Sequence, residues 1–517
     1  MKPQIEYVEE PFDTARDKFE EIVDELCSPA ALEMAHGELE TLISTEGMEL
    51  LRQLLQGHLD FRGIGDVGTE VAGTDGVVRT HRRLGSRRLI SVFGPVSITR
   101  MRYGGRGTTS LVPLDAELNL PEEVYSHGVR KRVAEEVAKN SYDETVDSMA
   151  KTTGAVVPKR QAEELAVRAS ADFEAFYQAR EVVAEEESAG EILVISVDGK
   201  GIVMRTEDLR EQTRKRAQSQ QHKLSKRLSR GEKRNAKRMA TVAAVYGIDP
   251  FVREPQDIVA ELRPSEQPVK RPRPENKRVW ASVERPPEVV IAEAFAEAER
   301  RNPEHNKQWV ALVDGNKTQL RLLKERAARS GVVMTIVLDL IHVLGYLWKA
   351  AFVLHKEGSE QAQAWVTERL MRLLHGHSSH VAAGIRRSAT LRKLSSEQRI
   401  PVDKCADYLL KYAEFMRYDQ YLKAGLPIAT GVIEGACRHL IKDRMDLTGA
   451  RWSLGGAEAV LQLRSLRSSG NFEEYWRFHI ERELERNHAV RYPGPIPLTQ
   501  GTDGKQSDRC AELRLVA

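Results

Sequence analysis

The sequence predicts an α/β protein with more than one domain, and three observations carry that prediction. Continuous β-rich apolar runs such as residues 191–197 and 309–313 have the composition of strands buried on both faces. Between them lie segments whose apolar residues recur at three- and four-residue spacing, as helices packed on a sheet require. The 517 residues also exceed what one hydrophobic core accommodates, roughly 250 to 300 residues.

Composition narrows the class. With 41% hydrophobic and 30% charged residues the chain is globular, neither fibrous nor wholly disordered. Its 78 Lys+Arg and 76 Asp+Glu nearly cancel, so any affinity for nucleic acid must come from local clusters. Cys27, Cys405, Cys437 and Cys510 are far apart with no Cys-x-x-Cys pair, which argues against a disulfide framework or a zinc knuckle and fits a reducing cytoplasm. The acidic residues 1–20 lack the basic-then-apolar order of a signal peptide. The apolar stretch 331–354 is long enough to span a bilayer. It carries Asp339, His342 and Lys349, however, so it is expected to be a buried strand running into a helix, with no membrane partner.

Residues 1–120 are expected to form a helical and β-ribbon region. Apolar spacing over 14–60 predicts two helices, and Ser91–Tyr103 alternates apolar and polar residues on both sides of Gly94-Pro95, the pattern of a hairpin. Arg82, Arg83, Arg87, Arg88, Arg100 and Arg102 decorate it, either to lie against a phosphate backbone or simply as a solvated face. Residues 121–185 are expected to hold a helix-turn-helix: helix 142–152, a Thr153-Gly154 break, and helix 158–169 with Pro158 in its first turn. That arrangement puts Lys159, Arg160 and Gln161 at the leading end, where such motifs meet DNA, although helical pairs of this kind are also common in ordinary bundles.

Residues 186–345 predict the first part of a central domain. A strand ends on Asp198-Gly199, 202–205 pairs back as a second strand, and 239–248 gives a third. Helix 287–301 follows, then a strand closing on Asp314-Gly315 and a fifth, 332–338, closing on Asp339. That is the order of an RNase H-like core. Within it, 209–238 is a basic insertion; Lys215, Arg216, Lys226 and Arg227 are its candidate phosphate contacts. A helical insertion is expected over 346–430, the last core segment with Glu434 over 431–485, and a tail over 486–517; the Pro/Arg-rich stretch 263–278 is expected to be loop.

The candidate chemistry lies in the carboxylates. Phosphodiester cleavage without a covalent intermediate uses two hard cations about 3.5 to 4 Å apart, and Mg²⁺ takes oxygen ligands from a few carboxylates on separate elements. Asp198, Asp314 and Glu434 are such a set, brought together only by folding. Local pattern does not choose between Asp314 and Asp339 as the middle member, since each ends an apolar strand; strand order favours Asp314, which follows the strand next to the first. Asp339 and His342 are then expected to support the site. On the Glu434 helix, Glu434, Arg438, Ile441 or Lys442, and Met445 are expected to share a face, placing cations near the carboxylate; the plain alternative is a pair of surface salt bridges. Arg451 and Trp452 are candidates to clamp or stack on a strand, and Trp452 is equally suited to plug the core. No phosphate-cradling Gly-x-x-x-x-Gly-Lys motif and no His-Glu-x-x-His motif is present.

Four blocks, 197–205, 310–315, 337–343 and 431–445 with Thr448-Gly-Ala-Arg-Trp452, closely resemble the Kra branch of bacterial insertion-sequence transposases, DDE enzymes related to the Mutator-like group. The similarity covers roughly 191–467, and the Glu434 block is its most specific part. The resemblance implies a catalytic triad of Asp198, Asp314 and Glu434 binding two Mg²⁺ ions, for which Mn²⁺ can substitute. It also implies double-stranded DNA with terminal inverted repeats and a target DNA as partners, an N-terminal region that binds those repeats, a homo-oligomer on DNA, and a cytoplasmic, nucleoid-associated location. Two other readings fit the residues: a related nuclease or resolvase that cuts without joining, and a DNA-binding regulator carrying an inert catalytic fold.

Overall fold

The computed structural model describes residues 10–180, 190–219, 236–261, 270–447 and 449–497. The chain forms two units, Met1–Gln178 with Phe472–Ala517, and Ala179–Asn471.

In the first unit the expected helices are Asp13–Leu26 and His36–Phe61, packed on each other. The hairpin consists of β1 (His81–Ser91) and β2 (Gly94–Gly104). Its turn is Val92-Phe93, not Gly94-Pro95, because Ser91 pairs with Gly94 and Ile90 with Pro95. Gly94 takes φ 125°, which a side chain would resist, and so closes the two-residue loop; Pro95 sits at the start of a strand that has only one partner, where a missing N–H is tolerated. The arginines divide. Arg87 and Arg100 converge on Asp115 at 3.6 and 2.7 Å and Arg82 pairs with Asp66, whereas Arg83, Arg88 and Arg102 are exposed.

Helices Tyr142–Thr152 and Lys159–Ala169 form as predicted, with Pro158 as the N-cap of the second instead of part of its first turn. Both pack on helix His127–Lys139. The connection over 153–158 is longer than the usual turn of about 3 to 4 residues in a helix-turn-helix, and Lys159 and Arg160 are tied to Asp143 (2.8 Å) and Glu164 (3.1 Å) in exposed pairs.

Helix Phe472–Asn487 belongs to this first unit, although the sequence reading grouped residues up to 485 with the central domain. The reason is a polar, buried face. Arg130, fully buried, meets Glu483 at 2.5 Å and Glu123 at 3.1 Å; His479 meets Asp172 at 2.7 Å; the Tyr475 hydroxyl donates to the Ala169 carbonyl at 2.7 Å. An apolar-periodicity search does not see such a face. Burial opposes ionisation of Asp172 and Glu483, but hydrogen bonds from His479 and Arg486 to the one, and from Arg130 to the other, outweigh it and hold both at about 2. Carboxylates depressed from about 4 stabilise the fold fully above that ordinary value and lose their contribution as pH falls toward 2. Thermal melting at stepped pH is therefore expected to show the first unit losing stability between about pH 4 and 2, and Asp172→Asn should flatten that dependence; an unchanged slope would place the acid-sensitive groups elsewhere.

The second unit is built on a five-stranded mixed sheet. Its strands are β3 (Ile192–Val203), β4 (Lys237–Ile248), β5 (Glu275–Ser282), β6 (Gln308–Val313) and β7 (Met334–Leu338), in the spatial order β5-β4-β3-β6-β7. β4 pairs antiparallel with both β3 and β5, while β6 runs parallel to β3 and β7 parallel to β6. Two expectations are corrected here. Residues 202–205 do not fold back: β3 runs on through Asp198-Gly199 and pairs along its whole length with β4. The missing third strand is β5, in part of the stretch expected to be loop; its prolines precede the strand, and its consecutive residues Val279, Trp280 and Ala281 are buried on both faces of the sheet. Helix Pro287–Arg301 covers the sheet and carries Glu297, which is 1% exposed and ion-paired to Arg278, Arg300 and Arg301 at 2.5, 2.5 and 2.6 Å.

After β7 the chain turns into helix Leu340–Leu354, the first of the helices Glu360–Leu374, Ser378–Leu391, Ser396–Lys411 and Tyr418–Lys423 that fill the expected insertion. Among the described residues no helix is long and apolar enough to cross a membrane. Cys27, Cys405 and Cys437 are free thiols.

Candidate functional site

The sheet register builds the site. Ser196 of β3 pairs with Leu312 of β6, so two residues further on Asp198 and Asp314 come side by side; Val313 pairs with Leu338, so Asp339 follows on the next strand. Neighbouring strands are about 4.8 Å apart. Asp314 and Asp339 leave the carboxyl ends of parallel strands, the edge at which open α/β sheets place their ligands. All three aspartates line one cavity of about 1050 Å³ with Lys200, His342, Lys349, Glu434, Arg438 and Lys442.

The three aspartates differ in what their oxygens do. Asp198 accepts the Gly199 N–H at 2.6 Å and the Cys437 thiol at 3.2 Å. Asp314 accepts the Asn316 N–H at 2.9 Å, and its pKa is raised, first by burial and then by the Asp198 charge, against which the Asn316 bond and His342 act. Asp339 is buried and fully used: it accepts from the Ile341 N–H (3.1 Å), the Thr430 N–H (3.2 Å) and the Thr430 hydroxyl (2.8 Å). It thus caps helix Leu340–Leu354 and ties down the residue before the Glu434 helix. His342 lies in the first turn of that capped helix, exposed, with its ring 5.6 Å from Tyr346 and 5.9 Å from Tyr408.

The Glu434 helix runs as Gly431–Ala436, a π segment Cys437–Lys442, and Asp443–Met445. The π segment changes the expected phasing. Glu434, Arg438 and Lys442 are exposed, but Ile441 and Met445 face the core. Arg438 pairs with Asp443 at 3.5 Å, and among the described residues Glu434 has no ion pair. π segments shift carbonyls out of the regular ladder, and here the half-buried Arg464 guanidinium donates to the carbonyls of His439 (2.9 Å) and Leu440 (3.1 Å).

Loop Asp314-Gly315 is held from the insertion. The hydroxyls of Tyr408 and Tyr412 donate to the carbonyls of Asp314 (2.8 Å) and Gly315 (2.5 Å). Gly315 has φ 91°, and a Cβ there would come within 3.1 Å of the Tyr408 hydroxyl, so glycine is required on both counts.

Other predicted residues lie elsewhere. Lys215 and Arg216 are exposed on helix Glu211–Ser219, Lys215 paired with Glu211 at 2.6 Å, and neither lines the cavity. Lys226 and Arg227 fall outside the described residues. Arg451 is exposed. Of the two roles expected of Trp452 its burial fits the core plug: it is 6% exposed, donates its indole N–H to the Met445 carbonyl at 3.1 Å, and its backbone bridges to Val203 and Arg205. Lys159 and Arg160 belong to the first unit.

Sequence reasoning missed Cys437, Thr430 and the three tyrosines 346, 408 and 412. Only Cys437 had a signal, one helical turn after Glu434.

No family model matches the chain, and no curated protein matches it. Among solved structures it is similar to the Drosophila P element transposase strand transfer complex, at 10% identity and a TM-score of 0.24, over 73% of this chain and 90% of that one.

Proposed function

We propose that the chain is a DDE-type DNA transposase on an RNase H-like core, which cuts double-stranded DNA at terminal inverted repeats and joins the ends to target DNA. The observation that carries this reading is the register that sets Asp198 beside Asp314, with Glu434 lining the same cavity. The order β5-β4-β3-β6-β7, with β4 antiparallel and β6 and β7 parallel to β3, and the resemblance of the sequence blocks to the Kra branch support it.

The donor set suits a hard divalent cation: carboxylate oxygens, partly buried, with two like charges whose mutual repulsion a cation relieves. Asp198 and Asp314 would hold Mg²⁺, or Mn²⁺ in its place. Among the described residues no three His, Cys, Asp or Glu side chains are arranged to hold one ion; Glu434 is exposed, so its side chain can change rotamer to serve as the third carboxylate. When bound, two such ions supply activation of the attacking oxygen and stabilisation of the leaving one. The chain's own groups do the rest. The Cys437 thiol orients Asp198, Asp339 fixes Thr430 at the start of the Glu434 helix, and Arg438 and Lys442 supply charge for the strand's phosphates.

The test uses linear DNA carrying the genomic sequence on either side of the gene, searched for imperfect inverted repeats, with Mg²⁺ or Mn²⁺. Wild-type protein should nick and join it. Asp198→Asn and Glu434→Gln should each bind the ends with little change and lose both steps, since an amide keeps the shape but not the charge. Nicking without joining would make the protein a nuclease or resolvase; binding without nicking would make it a regulator.

A further inference from the structure

Beside the carboxylate cavity lies a second groove of about 460 Å³, which shares Asp314, His342 and Tyr346 with it and continues along helix Ser396–Lys411 past Lys404, Tyr408, Lys411 and Tyr412. We propose that this groove seats the phosphodiester backbone of a single nucleic-acid strand as it continues from the carboxylate centre; the proposal rests on the reading above that this centre acts on nucleic acid.

Charge is the first argument. Four ionised side chains line the groove: Asp314, Asp407, Lys404 and Lys411. Asp314 sits at the end shared with the carboxylate cavity. Asp407 is ion-paired to Arg386, which cancels its charge. The outer part of the groove is therefore left with two lysines. Both are exposed and neither meets a carboxylate among the described residues. Lys411 is held against its neighbour, with its ammonium on the Tyr412 hydroxyl and 4.2 Å from the centre of that ring. A cation placed by an aromatic ring in place of an anion remains available to a phosphate.

Spacing and stiffness are the second argument. Lys404 and Lys411 are seven residues apart on one helix, hence on the same face and roughly 10 Å apart along its axis, a span that fits successive phosphates of a strand better than one free anion. The wall between them is a rigid ladder. Tyr346 stacks on Tyr408 at 4.1 Å, Tyr408 meets Tyr412 edge-on at 4.9 Å, and the hydroxyls of Tyr408 and Tyr412 are committed to the Asp314-Gly315 carbonyls. Tyr408 and Tyr412 are buried, so this wall offers a strand stiffness and no stacking faces, and the contact is made by the two ammonium groups. The same tyrosines touch the strand's track and the loop bearing Asp314, which links occupancy of the groove to the carboxylate it adjoins.

The experiment measures binding of the full chain to a fluorescein-labelled 12-nucleotide thymidine strand, and to a 12-base-pair duplex, from 50 to 300 mM NaCl by anisotropy. Lys404→Ala/Lys411→Ala should weaken single-strand binding about tenfold. It should also reduce the salt slope by about 1.4, at roughly 0.7 per lost phosphate contact on a single strand. Duplex binding should change less, and the melting temperature should hold because both ammonium groups are exposed. Lys404→Glu alone should weaken the single strand further than Lys404→Ala. An unchanged single-strand slope overturns the proposal, as does displacement of the strand by 5 mM thymidine monophosphate, which would make the groove a free-nucleotide site. Failure here is separable from failure of the proposed function. Wild-type protein that cuts DNA while the double variant keeps its slope removes only the groove; wild-type protein that never cuts DNA while the slope falls removes only the catalytic reading.

Discussion

Asp314→Asn should reduce cleavage of DNA ends by at least about 10³-fold, some 4 kcal/mol of transition-state stabilisation, at every Mg²⁺ and Mn²⁺ concentration. Asp339→Asn should leave measurable activity and cost stability instead. The difference follows from what each carboxylate already does. Asp314 accepts one backbone N–H and keeps its other oxygen open to the cavity beside Asp198. Both oxygens of Asp339 already accept, from three donors, two of them on Thr430. An amide at 339 keeps its oxygen for the two N–H donors and turns its NH2 toward the Thr430 hydroxyl, which can accept it only by rotating its own proton away from the carboxylate's place, a change in a buried site that costs about 1 kcal/mol. Cleavage time courses for both variants across a metal titration, with melting curves alongside, decide the matter. Activity in Asp314→Asn together with its loss in Asp339→Asn would exchange their roles.

Glu297→Ala should destabilise the second unit by about 3 to 5 kcal/mol, a large share of the roughly 5 to 15 kcal/mol that holds a domain together. Burial penalises the Glu297 charge, yet Arg278, Arg301 and Arg300 hold its pKa far below the ordinary carboxylate range. Removing it takes away the carboxylate that two buried guanidinium groups, those of Arg278 and Arg301, share. Arg278 also lies over the Trp280 ring at 4.4 Å, and Arg301 bonds the Asn276 carbonyl, so β5 and helix Pro287–Arg301 should loosen together. Urea unfolding should show a lower midpoint for Glu297→Ala and an intermediate one for Glu297→Gln, which keeps an acceptor. A midpoint within about 0.5 kcal/mol of wild type would mean that the cluster is solvated.

Much of this architecture was legible because it rests on hydrophobic periodicity. Helix Pro287–Arg301 and helix Tyr142–Thr152 fall where their apolar spacing puts them, and β6 where its apolar run does. What escaped depends on partners remote in sequence. Asp198-Gly199 looks like a turn from local chemistry, since that dipeptide is a turn former, but β4 supplies a full ladder and the strand continues. β5 was hidden behind prolines that end just before it. At the site, the register of β3 and β6 was legible as strand order, so the proximity of Asp198 and Asp314 could be expected. The π segment was not: one extra residue in a helical turn leaves no mark in composition, and with it the facing of Ile441 and Met445 was misjudged. Tyr408 and Tyr412 were unreadable for another reason, as their partners are backbone carbonyls about a hundred residues earlier, which no side-chain pattern announces.

The first unit is made of two separated stretches of chain, and this sets a timetable for synthesis. At roughly 5 to 20 residues per second, a ribosome that has finished Gln178 works for on the order of 15 to 60 s before it reaches Phe472. For that interval Arg130 has no Glu483 and Asp172 no His479. The second unit, by contrast, is one unbroken stretch and has all its strands as soon as β7 is out. A chain cut short after Asn471 would carry every carboxylate of the site yet lack the helix that neutralises the buried charge of the first unit. Completion of the first unit is thereby left to chains that extend through Asn487, and in a shorter product Arg130 keeps Glu123 alone of its two carboxylates.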